Sequence, residues 1–156
     1  MRWFCLPTFF LLSTLLPAQA GHSAPKILLN INVQTSGEGL PLNQAHSIAV
    51  PPNGETILIR TLPEITQRDL VDVQVDASDA VHFRFNHDGQ VALNAVTAQN
   101  QGRILVLMLN GYILYAPVID EQISDGELIM PHHLDPKVIQ LLQETAQKNL
   151  QQAARQ

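Results

Sequence analysis

Cysteine is all but missing from this chain. The single one, Cys5, lies near the start, so the body of the protein has no disulfide and no thiol nucleophile. Aromatic residues make up 5% of the sequence, which leaves the core to Leu, Ile and Val. Charged residues, at 15%, are also sparse, and the formal net charge is -5. With only 9 Lys and Arg, and those scattered, the chain has no electrostatic footprint for nucleic acid and no basic patch for an anionic membrane surface. Outside the first residues there is no apolar run long enough for a membrane-spanning helix. Gly37-Glu38-Gly39 is not followed by the Lys-Ser/Thr of a phosphate loop. Ser, His and Asp are present, but without a local signature that would assemble them as a triad.

The start of the chain reads as an export signal. Arg2 gives a short positive start, residues 3–16 are mostly apolar, and Ala18-Gln19-Ala20 is a small-x-small cleavage site. The spacing predicts a signal peptide over 1–20, cut before Gly21, and hence a periplasmic protein. Exported chains without disulfides depend on their hydrophobic core alone. Residues 21–61 are expected to form a β-rich extension, with strands near 26–34, 47–50 and 55–61. Alternating Leu29, Ile31, Val33 and alternating Ile57, Ile59 support them, and Pro51-Pro52-Asn53-Gly54 marks a turn.

Residues 62–150 are expected to form the main α+β domain, followed by a frayed Gln-rich tail over 151–156. Thr66 with Asp69 three residues later resembles a capping box and predicts a helix of about two turns, with Leu70 and Val73 on one face. Val81, Phe83 and Phe85 alternate as a strand. Asp88 is the expected cap of the next helix, which Val91, Ala92, Ala95 and Val96 would line and Gly102 would stop. The run ILVLML over 104–109 suits a strand covered on both sides. Asn110-Gly111 then predicts a type I′ hairpin, with Leu109 opposite Tyr112 and Leu107 opposite Leu114. Pro117 should end the return strand. Glu127 begins a short strand, and Asp135-Pro136 opens an amphipathic helix. The fold class is therefore α+β: an antiparallel-rich mixed sheet with two main helices on one face, plus added N-terminal strands.

Over residues 62–147 the order of these features resembles the head subdomain of the first periplasmic domain of the export proteins SecD and SecDF. Thr66-Gln67-Arg68-Asp69-Leu70 is similar to the family's lead helix, and Asp88-Gly89 to its helix opening. Residues 97–103, ending in Gly102-Arg103, are similar to the helix end. Asn110-Gly111 corresponds to the turn, and Ala116-Pro117-Val118-Ile119 to the return strand. The chain departs from the pattern at Asp120-Glu121-Gln122-Ile123, at its single Gly126 and at Pro131. The resemblance implies the fold and a protein partner, such as a translocon component or a preprotein. The family's proton-driven transport resides in membrane helices and is not implied.

His132-His133 is the most tempting metal feature. Adjacent side chains in an extended segment diverge, and a site would need His82 or His87 as well. Asp120, Glu121, Asp125 and Glu127 lack the spacing of a calcium loop and read as a solvated acidic surface. No cofactor, metal or catalytic group is assigned. The candidate contact surface is Tyr112, Tyr115, Ile119 and Ile123, on the hairpin and the loop behind it. The sequence and the resemblance thus favour a non-enzymatic exported protein-binding module, accessory to Sec-type export or envelope assembly. The alternatives are a binding module of an unrelated envelope complex that reuses the fold and, more weakly, a metal-binding protein or hydrolase.

Overall fold

The computed structural model describes residues 27–41 and 43–155. The expected signal peptide and Cys5 lie outside the described residues. The chain forms β1 (Leu29–Val33), β2 (Ala45–Val50), β3 (Glu55–Arg60), β4 (Ile65–Thr66), β5 (Leu70–Val75), β6 (Val81–Phe85), α1 (His87–Gln99), β7 (Leu105–Leu109), β8 (Tyr112–Tyr115), β9 (Glu127–Met130) and α2 (Pro136–Ala153). The fold is α+β. Its strands are divided among three sheets, ordered β4-β1-β7-β8, β2-β3 and β5-β6-β9. All the strand pairings described are antiparallel.

The strand β7 lies inside the first sheet, which accounts for its unbroken apolar sequence. Leu105 and Leu107 face the main core with Leu29, Ile31, Phe83, Leu93 and Leu142. Val106 points the other way, into a second cluster with Val50, Ile57 and Ile59 from the β2–β3 hairpin. The hairpin therefore covers the back of the first sheet, while β1 sits between β4 and β7 within it. Asn32, on the back of β1, is buried and donates from Nδ2 to the Arg60 carbonyl at 2.9 Å, which ties the two layers together.

The expected helix after Thr66 does not form. Asp69 Oδ2 does accept from the Thr66 N–H at 2.9 Å and from its hydroxyl at 3.2 Å, but this interaction closes a tight turn from β4 into β5. Leu70 and Val73 share the core face of a strand because a bulge between Leu70 and Asp72 inserts one residue into the alternation. Helix α2 then packs on β5. Gln143 Nε2 donates to the Val73 carbonyl, and Asn149 Nδ2 donates to the Gln67 and Leu70 carbonyls, both at 2.7 Å. The helix runs through Ala153.

The cap of α1 is Asn86, whose side chain accepts from the Gly89 N–H at 2.9 Å. Asp88, expected as the cap, instead lies in the first turn, where its charge complements the helix N-terminus. The buried stripe is Gly89, Leu93, Val96 and Thr97. Val91, expected on that stripe, is 54% exposed, and Ala95 is exposed too. Helix α1 ends at Gln99, with Asn100 as its C-cap, and Gly102 takes the positive φ of 80° two residues later.

Candidate protein-binding cleft

The hairpin tip is a type I′ turn, with φ 50° at Asn110 and 85° at Gly111. Leu109 lies opposite Tyr112 as expected. A bulge between Leu107 and Met108 brings Tyr115, not Leu114, opposite Leu107. The strand β8 is the outer strand of its sheet, and no described residue pairs with its far side. Tyr112 stands at the tip, 78% exposed. The side chain of Tyr115 is half-buried and meets the His132 ring edge-on, with centroids 5.9 Å apart. Burial first, then the Asp120 carboxylate, pushes the Tyr115 phenol above its ordinary value, which favours the neutral phenol.

Beyond β8 the chain turns along the end of β7. The Leu105 N–H donates to the Pro117 carbonyl at 2.9 Å, and residues 102–103 exchange two bonds of 2.8 Å with Ile119. Pro117 thus ends the regular strand yet still accepts a hydrogen bond. The next segment, 120–126, is strapped to α1. Thr97 Oγ1 accepts from the Ile123 N–H at 2.9 Å, and Gln90 Nε2 donates to the Ser124 carbonyl at 2.8 Å. Gln122 Nε2 donates to Asn94 Oδ1. At the far end the Phe85 N–H donates to the Gly126 carbonyl, and the chain enters β9, the outer strand of the other sheet.

Between the two outer strands lies a cleft of about 360 Å³. Val118 and Ile129 line it and are 58% and 48% exposed, while the acidic side chains of Asp120, Glu121, Asp125 and Glu127 surround it. Of the four residues in the sequence-derived contact surface, Tyr115, Ile119 and Ile123 come together around this cleft and Tyr112 stands apart at the tip. Ile119 is 4% exposed and Ile123 packs on the core, so these two anchor the segment and do not present it. The apolar groups actually presented, Val118 and Ile129, were not singled out in the sequence. For Ile129 the signal is its place between Leu128 and Met130, both buried, in an alternating strand.

One wall of the cleft ends in a polar cluster. His82 on β6 has Nδ1 at 2.8 Å from Glu127 Oε1 and Nε2 at 3.2 Å from Asp76 Oδ2. Arg84 reaches Glu127 at 3.8 Å. His133 is exposed in its loop, and among the described residues no three His, Cys, Asp or Glu side chains are placed to hold a metal ion. Nor, among them, is any helix long and apolar enough to cross a membrane.

A family model described as SecDF, P1 head subdomain, matches residues 42–132, more than half of the chain. The chain belongs to this family. The SecD subunit of the protein translocase of Acidaminococcus fermentans is 32% identical over 77 residues, and that of Rhodobacter capsulatus is 34% identical over the same length. Each alignment covers 47% of this chain but only 18% and 14% of the respective subunits, so the chain spans less than a fifth of their length. A solved structure of SecDF, a membrane component that enhances protein export, superposes with TM-score 0.56 at 17% identity. It covers 79% of this chain and 63% of that one. SecDF in its super-membrane-facing form gives TM-score 0.55 at 18% identity, over 77% of this chain and 18% of the other. These structures share the head fold with this chain.

Proposed function

We propose that this SecDF P1 head protein is a non-enzymatic, periplasmic protein-binding module that serves protein export or envelope assembly. It takes an extended protein segment along β8 and into the neighbouring cleft. The observation that carries this reading is the outer side of β8, which no described residue pairs, beside a cleft that presents Val118 and Ile129. An unpaired strand side holds main-chain donors and acceptors that an added strand satisfies, while the flanking apolar groups take alternate side chains. The surrounding carboxylates favour a segment that carries Lys or Arg. The export proteins that share the family supply the partner class, a translocon component or a preprotein.

Photo-crosslinking in cells tests the reading, with the probe at Tyr112 or Val118 and a control at Val91 on the exposed side of α1. Adducts with Sec components or unfolded preproteins from the first two positions, and not from Val91, are expected. Adducts dominated by another envelope complex would move the module to that system. Equal labelling from all three positions would remove β8 and its cleft as the binding surface.

A further inference from the structure

We propose that His82 is a proton-dependent clamp on the wall of the cleft, whose imidazolium links the β5–β6 turn to β9 and thereby fixes Glu127 at the cleft margin. Both ring nitrogens face carboxylate oxygens, at 2.8 Å for Glu127 and 3.2 Å for Asp76. Ionised carboxylates only accept, and a neutral imidazole has one N–H and one lone pair. A neutral ring would therefore set its lone pair against one of the two carboxylates. Only the protonated ring donates to both at once.

The two partners are held unequally. Asp76 Oδ1 also accepts from the Ser78 N–H at 2.7 Å, the Ser78 hydroxyl at 2.6 Å and the Ala80 N–H at 3.1 Å, so the turn stays formed without His82. Among the described residues, the carboxylate of Glu127 has only His82 and the more distant Arg84. On the neighbouring strands, β5 brings Gln74 opposite His82 and Asp72 opposite Arg84, with Asp72 accepting from Gln74 at 2.6 Å; β9 brings Ile129 opposite His82. Helix α1 packs its buried residues into the core with Val81, Phe83 and Phe85, the residues that alternate with His82 and Arg84 on β6. Asp76 first and Glu127 second raise the His82 pKa above its ordinary value, in the direction the geometry requires. When the ring loses its proton, either tautomer leaves one of the two carboxylates without the ring's N–H and unlinks the turn from β9. Because Glu127 lines the cleft and its N–H donates to Asp125 Oδ1, that release changes the charge and order of the cleft margin. Its regulatory meaning rests on the protein-binding reading of the cleft; the clamp itself does not.

An NMR pH titration of the full chain tests the clamp without any partner. The His82 ring resonances should titrate above the ordinary histidine value, and the backbone amides of Asp125, Gly126 and Glu127 should shift with the same midpoint. In Glu127→Gln that midpoint should fall, and in His82→Gln the shared midpoint of the amides should vanish. Both side chains are partly solvated, so these variants keep the core intact. A His82 midpoint at or below the ordinary value, or loop amides that stay flat across it, would overturn the proposal while leaving the crosslinking test of the cleft unaffected.

Discussion

Two residues decide how α1 leaves β6. Gly89 is buried where the helix crosses the preceding strand, and a Cβ there would lie 2.7 Å from the Phe85 Cβ and 3.0 Å from that of Asp69. Gly89→Ala would normally gain up to about 1 kcal/mol of helix propensity. Here the contact is with rigid Cβ atoms, and the expected net loss is about 1–3 kcal/mol, read from denaturant unfolding. Unchanged or raised stability would show that the helix can shift away from β6. Asn86→Ala removes the observed cap and should cost about 1 kcal/mol, whereas Asp88→Ala should cost a few tenths. The reverse order would restore Asp88 as the cap. Both residues lie within one turn, and the path of the chain out of β6 selects Asn86 as the cap.

At the scale of elements, signals that act within a few residues were legible and those that depend on distant partners were not. Asn110-Gly111 sets a turn locally, and the turn formed. Thr66 with Asp69 has the spacing of a capping box and predicts a helix, but the pair closes a β-turn here, and the spacing of Leu70 to Val73 imitates a helix because of the bulge. The insertion of β1 between β4 and β7 is a long-range pairing that no local pattern announces. The same holds for the strapping of 120–126 to α1. There Thr97 is the element's key residue: its buried hydroxyl donates to the Leu93 carbonyl at 2.7 Å and accepts from the Ile123 N–H. Thr97→Val keeps the shape and removes the acceptor, leaving that N–H without its partner at a cost of about 1–3 kcal/mol. Hydrogen exchange should show the Ile123 amide losing protection while the core strands keep theirs. If protection at Ile123 is unchanged, the loop is held by its other straps.

Across the whole molecule, stability comes from two apolar cores that share β7, and the ionisable groups modulate it at the surface. Two of them, His82 and Asp76, bear on the acid-to-neutral range. His82 has a folded-state pKa raised above the ordinary 6.5, chiefly by Asp76 and then by Glu127. The folded protein holds this proton more tightly than the unfolded chain. Its contribution is therefore complete below about 6.5 and is lost as pH rises through the folded value. Asp76 is held below the carboxylate range, chiefly by the Ser78 hydroxyl and then by His82. Its contribution is present above about 3.9 and fades as pH falls. Both act together between about pH 4 and 6.5. The melting temperature of the wild type minus that of His82→Gln should be largest in this window and shrink on both sides of it. The Ser78 and Ala80 bonds to Asp76 survive the substitution, so part of the acid limb should persist in the variant. The difference should be small because the groups are solvated, and it should shrink further in high salt. A difference of constant size from pH 4 to 9 would mean that the ring contributes by packing and not by its charge.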